Sequence, residues 1–138
     1  MRKTLFVILQ CTWGLLQTLI GLGFFIALRK CPHRTYRGCI DTQWNHHGGL
    51  SLGLFLFTPP DSQSNAELIR VHEYGHAVQS VVLGPLMLLV GIISILWGNL
   101  PCFARLRKTR HLPYTACFVE AWASKWGEQV TGEKAIWE

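Results

Sequence analysis

A run of 25 residues without a single charge, Thr4 to Leu28, constrains the fold of this chain more than any other feature. An α-helix needs about 20 apolar residues to cross the ~30 Å hydrocarbon core of a bilayer. Basic pairs flank the run at 2–3 and 29–30. A cleaved signal peptide is the alternative, but its apolar part is shorter and ends at a small-residue cleavage site, which this sequence lacks. We therefore predict a retained transmembrane helix that anchors the chain through residues 1–30.

The composition agrees with a membrane-associated protein. Of the 138 residues, 49% are hydrophobic and 15% are charged, against about 25% charged in ordinary soluble domains. So few charges exclude a disordered chain and predict that nucleic acid is not a partner. The net charge of +5 is concentrated beside apolar runs, at 2–3, 29–37 and 105–110. This placement is typical of the positive flanks of membrane segments, so we expect the lipid bilayer as a partner.

The middle of the chain predicts a β-hairpin. Residues Leu50 to Phe57 alternate leucine with other residue types, which indicates a strand. A second apolar segment, Cys39 to Trp44, precedes it across the turn-rich residues 45–49. We expect these two segments to pair as the hairpin.

Three helices are predicted in the second half. Ser64, with an acid three residues later, has the form of a capping box, so a helix should run from about Asn65 to Leu83 and end at Gly84-Pro85. A short apolar helix follows over Leu86 to Trp97, and the last helix should cover about 115–128.

The first of these helices carries His72-Glu73-Tyr74-Gly75-His76, which matches H-E-x-x-H. Residues four apart lie on one face of a helix, so both imidazoles can reach one ion. The glutamate between them can accept a proton from water held at that ion. The alternative is two polar histidines on the wet side of an amphipathic helix.

A catalytic zinc usually takes three protein ligands and keeps one position open. We favour Glu120 as the third ligand, because it lies on a predicted helix where the small Ala123 permits close packing against the motif helix. The other candidates are Asp41, Asp61, Glu67, Glu128, Glu133, Glu138, His111 and the His46/His47 pair.

These motifs resemble the gluzincin metallopeptidases, in which H-E-x-x-H is followed by a helix with E-x-x-x-D or E-x-x-A-[DN]. The run His72 to Leu86 is also similar to small bacterial membrane metallopeptidases that carry H-E-Y-G-H-x-x-Q-S-x-x-L-G-P-L. The resemblance implies a Zn²⁺ cofactor with His72, His76 and Glu120 as metal ligands and Glu73 as the catalytic general base.

One position departs from the pattern. Ser124 stands where these families have Asp or Asn, the residue that supports a metal ligand by a hydrogen bond. Serine can make that bond, but with shorter reach and no charge. This departure leaves open a non-catalytic metal-binding or regulatory membrane protein as the alternative to a peptidase.

The segment that precedes the Glu120 helix contains two candidate catalytic residues, His111 and Tyr114. Either could donate a hydrogen bond to the oxyanion that forms when a peptide carbonyl is attacked. Ordinary loop residues are the alternative for both. The strand at 50–57 could bind an extended peptide substrate by strand addition, or could be a plain core hairpin.

The metal site also limits the topology. If the apolar segment after the motif crossed the bilayer, His72 and Glu120 would lie on opposite sides of ~30 Å of hydrocarbon. Leu86 to Trp97 alone makes only about 18 Å of helix, so we expect it to be re-entrant or interfacial. With one span, the basic clusters at 29–37 and 105–110 share a side, which the positive-inside rule makes cytoplasmic.

The sequence thus predicts a mainly α, membrane-associated protein with a β-hairpin (class α+β). One N-terminal transmembrane helix would precede a minimal gluzincin-like metallopeptidase domain at residues 31–138. The predicted function is a zinc-dependent peptidase that hydrolyses peptide or protein substrates at the bacterial cytoplasmic membrane, with its catalytic domain on the cytoplasmic side.

Overall fold

Helices make up most of the chain, with a small sheet inserted between the second and the third. The computed structural model describes residues 2–138. Within that range the α-helices are α1 (Lys3–Thr12), α2 (Leu15–Ala27), α3 (Ala66–Leu83), α4 (Met87–Asn99), α5 (Pro101–Arg110) and α6 (Phe118–Thr131). The strands are β1 (His33–Tyr36), β2 (Cys39–Gln43), β3 (Leu50–Leu52) and β4 (Phe55–Thr58). The expected mainly helical class with a small β part is confirmed.

The uncharged N-terminal run forms two helices rather than one. The α1 and α2 axes are bent by 94° at Trp13-Gly14. The backbone passes so close to Gln10 at this bend that a β-carbon on Gly14 would lie 2.5 Å from Gln10 Oε1. The prediction of one continuous helix is therefore wrong. At 10 and 13 residues, α1 and α2 are about 15 and 20 Å long, so neither alone spans a bilayer.

Buried polar side chains hold this bend against α3. Gln10 Nε2 donates to the Ala77 carbonyl oxygen at 2.9 Å, and Thr18 Oγ1 donates to the Gln10 carbonyl oxygen at 2.9 Å. Gln17 Nε2 donates to Ser80 Oγ at 2.7 Å. A straight helix would separate these groups from their partners on α3, and burying polar groups without partners is costly.

The N-terminal helices also contribute to the protein core. Phe6 of α1 is buried beside Tyr74 of α3, with ring centroids 5.7 Å apart, and it shares a core cluster with Leu56 of β4. The division into an anchor at 1–30 and a domain at 31–138 stays a prediction, but α1 and α2 pack on the rest of the chain.

The sheet has the order β1-β2-β4-β3, which differs from the expected hairpin. The segment 50–57 is itself a hairpin of β3 and β4, and β2 pairs with β4 in parallel. Gly53 causes this difference: its φ of +62° turns the chain, and the backbone of Thr18 packs so closely that no β-carbon would fit. One strand over 50–57 and its antiparallel pairing with 39–44 are therefore wrong predictions.

The helix α3 follows its predicted bounds and forms the centre of the molecule. It begins after Asn65 rather than at a Ser64 cap, and no side-chain cap bond is made. It ends at Gly84, whose φ of +55° breaks the helix before the 3-10 turn of Gly84–Leu86. One face of α3 packs on β4 and another on α6, so most of its side chains are buried.

The segment Ala66–Asn99 is long and apolar enough to cross a membrane by length and composition. It is not one straight α-helix, because the 3-10 turn Gly84–Leu86 interrupts it and α4 packs on α6. Ser94 of α4 lies against Tyr114, with 3.0 Å between the hydroxyl oxygens, and near enough to Glu120 to affect its pKa. Glu120 in turn lies 3.2 Å from His76. In a straight helix Ser94 would be about 27 Å from His76.

Candidate metal centre

The candidate site lies where α3 and α6 cross at backbone contact. A β-carbon on Gly75 of α3 would collide with the Ala123 carbonyl oxygen, and one on Gly127 of α6 would collide with the Val71 carbonyl oxygen. Side chains are thus missing where the two backbones touch. This close crossing brings Glu120 of α6 to the histidines of α3, and it agrees with the packing role predicted for Ala123.

Three buried side chains converge on one point at this crossing. Nε2 of His72 lies 3.0 Å from Glu120 Oε2, and Nε2 of His76 lies 3.2 Å from the same oxygen. The three candidate ligand atoms lie within 4.8 Å of one another. Ligands at the ~2.0–2.1 Å bond lengths of tetrahedral zinc are about 3.3 Å apart, which is close to the two distances from the histidines to Glu120.

Nδ1 of His72, the ring nitrogen that faces away from Glu120, is held by two successive hydrogen bonds that lead through Ser124 to a backbone carbonyl. The Ile136 carbonyl can only accept a hydrogen bond, so the Ser124 hydroxyl donates to it at 2.5 Å. The hydroxyl has no second hydrogen, so it accepts from Nδ1–H of His72 at 2.8 Å. A neutral His72 therefore carries its proton on Nδ1 and points the Nε2 lone pair towards Glu120.

A second pair of hydrogen bonds fixes His76 in the same way. Gln79 Nε2 donates to the Val119 carbonyl oxygen at 3.1 Å, which sets the orientation of the amide. Its Oε1 then accepts from Nδ1–H of His76 at 2.7 Å. When neutral, both histidines thus present Nε2 lone pairs to a carboxylate oxygen.

This arrangement is unfavourable unless a cation lies among the three groups, because two lone pairs and an anion would otherwise repel one another. A proton or a metal ion satisfies it. Burial alone would lower the pKa of His76, but the hydrogen bond and charge of Glu120 raise it to about 9. Burial opposes ionisation of Glu120, yet the hydrogen bonds of His72 and His76 hold its pKa well below the usual range. The donor set therefore fits a divalent metal ion.

Glu120 retains free coordinating capacity. Its Oε1 is buried and makes no hydrogen bond of ordinary length, although Ser94 lies nearby. A buried carboxylate oxygen without a partner is rare in native folds. An ion bound to the carboxylate would account for it.

Glu73 is buried beside this group without belonging to it. It lines the same cavity as the three candidate ligands, and its carboxyl lies against the backbone of Gly49, where a β-carbon would not fit. Burial raises the pKa of Glu73 to about 8, with the charge of His76 opposing this. A buried carboxyl beside a cation site is suited to transferring a proton.

The candidate ligands open into a cavity of about 660 Å³ with mostly apolar walls. Leu50 and Leu52 of β3 form part of one wall, and Met87, Val90 and Ile95 of α4 form part of another. Because β3 is an edge strand, its outer side is free of other strands in this sheet. The cavity is large enough for several residues of an extended peptide.

The two predicted donors to the oxyanion have different placements. Tyr114 lines the cavity, and its hydroxyl lies 3.0 Å from Ser94 Oγ. His111 is exposed at the C-terminal end of α5 with φ of +50°, outside the residues that line the cavity. The structure thus brings Tyr114 to the site but not His111.

The other candidate ligands are engaged or placed elsewhere. Asp41 and Asp61 form ion pairs with Arg34 and Arg70. The remaining acids and histidines lie outside the metal-ligand group: Glu67, Glu128, Glu133, Glu138, His46 and His47.

Sequence reasoning missed several residues of the site: Gln79, Ser94, Gly49 and Ile136. Gln79 had a readable signal, since a glutamine three residues after a candidate ligand on one helix can reach its free ring nitrogen. The other three come from separate elements, and no local pattern marks them.

Comparison with protein-family models, with curated proteins and with solved structures finds no significant match to this chain.

Proposed function

We propose that this protein is a zinc-dependent peptidase that works at a membrane. The observation that carries the proposal is the convergence of His72, His76 and Glu120. Hydrogen bonds at Nδ1 of both histidines orient Nε2 towards the point where an ion would bind. Structural zinc sites usually use four protein ligands, whereas three ligands beside a cavity leave room for water and substrate. Glu73 in that cavity supplies the remaining catalytic group.

A zinc ion held by these residues would polarise a peptide carbonyl and lower the pKa of water towards ~7. The raised pKa of Glu73 would be lower beside a bound divalent cation, so that the ionised carboxylate can accept a proton from the attacking water and then donate one to the amine of the leaving peptide. The Tyr114 hydroxyl is the proposed donor to the developing oxyanion. Apolar side chains from β3 and α4 exclude water and bind the substrate side chains.

The test compares Glu73→Gln with Glu67→Gln, an exposed position on the same helix. Both proteins should retain one zinc per chain, measured by atomic emission. Only Glu73→Gln should lose hydrolysis of a broad peptide library, by at least 100-fold, because a general base of this kind contributes about 10²–10⁴-fold. Cleavage that survives in Glu73→Gln would overturn the proposed mechanism.

A non-catalytic metal-binding protein is the second candidate. It is favoured by the neutral Ser124, since a serine polarises His72 less than a carboxylate would. This alternative predicts that the wild type binds zinc but shows no cleavage that depends on Glu73.

The membrane part of the proposal is supported by large apolar side chains that stay exposed on three helices. Most of those on α1, α2 and α4 are more than 40% exposed, and they include Leu5, Ile8, Leu15, Leu16, Leu19, Ile20, Phe24, Ile26, Leu89, Ile92, Ile95 and Leu96. Many exposed large apolar side chains on neighbouring helices are typical of a surface that contacts a membrane or another protein. Because each helix is shorter than a bilayer, we propose that they enter one leaflet.

Basic residues lie beside this apolar surface. The helix α5 has no buried residue and carries Arg105, Arg107, Lys108 and Arg110. Arg29 and Lys30 follow α2. Positive side chains next to an apolar surface bind anionic headgroups, and the cytoplasmic face is the proposed location.

Entry into one leaflet predicts that exposed residues before α3 and after α6 stay on one side of the membrane. Cysteines introduced one at a time at Ser62 and Lys134, both exposed, should react with an impermeant maleimide from the same side. The background protein has Cys11, Cys31, Cys102 and Cys117 replaced by serine and keeps only the buried Cys39. Labelling from opposite sides would contradict this topology.

A further inference from the structure

Three buried side-chain polar atoms lack a hydrogen-bond partner within residues 2–138: Gln17 Oε1, Ser51 Oγ and Glu120 Oε1. All three residues line the same cavity. Folded proteins pair nearly all such atoms, so three exceptions around one cavity indicate groups that are satisfied by a ligand. The proposed metal ion accounts for Glu120, which leaves Gln17 and Ser51.

The orientation of Gln17 defines what it needs. Its Nε2 donates to Ser80 Oγ at 2.7 Å and to the Gly84 carbonyl oxygen at 3.0 Å. Because a carbonyl only accepts, the amide cannot be flipped, and Oε1 is left as an acceptor without a donor. Ser51 adds a hydroxyl that can donate or accept.

These two residues belong to neighbouring walls of the cavity. Gln17 lies on α2 and Ser51 on β3, and α2 packs on β3 so closely that a β-carbon on Gly21 would meet Leu52. Ser80, to which Gln17 bonds, is one helical turn beyond His76 on the same face of α3. One turn is about 6 Å, which corresponds to about two residues of extended peptide.

The other cavity residues define the ligand class. No Lys or Arg lines the cavity within the described chain, whereas Glu73, Glu120 and Glu138 do, so an anionic ligand has no counter-charge there other than the metal. The walls from α4 and β3 are mainly apolar. A peptide with apolar side chains offers an N–H donor at every residue, whereas a lipid chain offers none along its length.

We propose that Gln17 Oε1 and Ser51 Oγ form a polar subsite that binds the backbone of a neutral, apolar peptide, about two residues from the bond at the metal. The inference rests on the proposed peptidase function and names its substrate class. It also assigns a binding role to a glutamine inside the uncharged N-terminal run.

The test uses the Glu73→Gln protein in detergent micelles, which prevents cleavage, and a dye-labelled acetyl-Leu-Leu-Phe-Leu-Leu-amide. Binding is measured by fluorescence anisotropy for this peptide and for variants in which one backbone amide at a time is replaced by an ester. One ester should weaken binding about tenfold, since it removes the N–H that reaches Gln17. Adding Gln17→Met should abolish that difference between amide and ester.

Ser51→Ala provides the variant that should leave folding intact, because the hydroxyl it removes makes no hydrogen bond. Its melting temperature should equal or exceed that of the parent, while the peptide binds five- to tenfold more weakly. Ser62→Ala removes an exposed hydroxyl outside the cavity-lining residues and should leave both values unchanged.

Equal affinities across the ester series, or equal affinities for Ser51→Ala and Ser62→Ala, would overturn the subsite. Zinc content, measured on the same samples, separates the two proposals. If zinc is bound and all ester-substituted peptides bind with equal affinity, only the subsite proposal is overturned. Ester sensitivity that depends on Gln17 in a protein unable to bind zinc keeps the subsite and removes the peptidase function.

Discussion

At the scale of single residues, the hydrogen bonds made by Nδ1 of His72 and His76 are expected to affect how tightly these candidate ligands bind an ion. His72 donates from Nδ1 to the Ser124 hydroxyl, and His76 donates from Nδ1 to the Gln79 amide oxygen. Ser124 and Gln79 each donate in turn to a backbone carbonyl oxygen. The proton positions therefore follow from groups that cannot reverse their roles. Ser124, which stands where the similar families have Asp or Asn, makes the hydrogen bond to Nδ1 of His72.

Ser124→Ala should lower zinc affinity by about 10–100-fold, since His72 loses the partner that fixes its tautomer and ring orientation. Ser124→Asp should restore or exceed the original affinity by adding a charge next to Nδ1. Competition with a chromophoric chelator measures both values. Equal affinity in Ser124→Ala and the wild type would show that this hydrogen bond does not support the ligand.

Gly49 is a second residue with a testable role, because its backbone lies against the Glu73 carboxyl. Gly49→Ala should displace Glu73 and lower kcat by at least tenfold, while zinc content stays at one per chain. Gly48→Ala is the matched control, since a β-carbon there meets only Nδ1 of His46 at 3.8 Å. Loss of zinc in Gly49→Ala would instead indicate a general disruption of the site.

At the scale of elements, α3 and α6 form the site together, and their predictability differs from that of the sheet. Helix periodicity and the break at Gly84-Pro85 predict α3 and α4 from the sequence. The small Ala123 predicts the close packing of α6 on α3. The bend between α1 and α2 was missed because its cause, the bonds of Gln10 and Gln17 to α3, involves residues more than 60 positions away. The β2–β4 parallel pairing is likewise non-local and leaves no periodic signal.

The α3–α6 crossing can be tested by enlarging its smallest contact. Gly75→Ala should push α6 away from α3, because the new methyl group collides with the Ala123 carbonyl oxygen. We expect a loss of stability of about 1–3 kcal/mol and weaker zinc binding. Gly91→Ala, on α4 with nothing within 4 Å of a β-carbon, is the control and should be neutral or slightly stabilising. Unchanged zinc affinity in Gly75→Ala would mean that the crossing does not set the ligand geometry.

At the scale of the whole molecule, the proposed metal site joins the two halves of the chain. His72 and His76 precede the apolar helix α4 and Glu120 follows it, so a bound ion closes a loop of more than 40 residues. Binding to the folded state alone at 100 times the dissociation constant contributes about 2.7 kcal/mol. In a chain of this length that corresponds to a rise in Tm of roughly 10 °C.

Removal of zinc by a chelator should therefore lower Tm by about that amount, and adding zinc back should restore it. His76→Gln should have the lower Tm and should not respond to zinc. Differential scanning fluorimetry in the detergent used for purification measures the shift. A chelator effect of equal size in His76→Gln would place the stabilising ion elsewhere.

Zinc K-edge absorption on the purified protein identifies the atoms that bind the ion. We expect a shell of nitrogen and oxygen ligands at about 2.0–2.1 Å, with imidazole scattering that disappears in His72→Gln/His76→Gln. Sulfur ligands at about 2.3 Å from the five cysteines, or imidazole scattering that persists in the double variant, would contradict it.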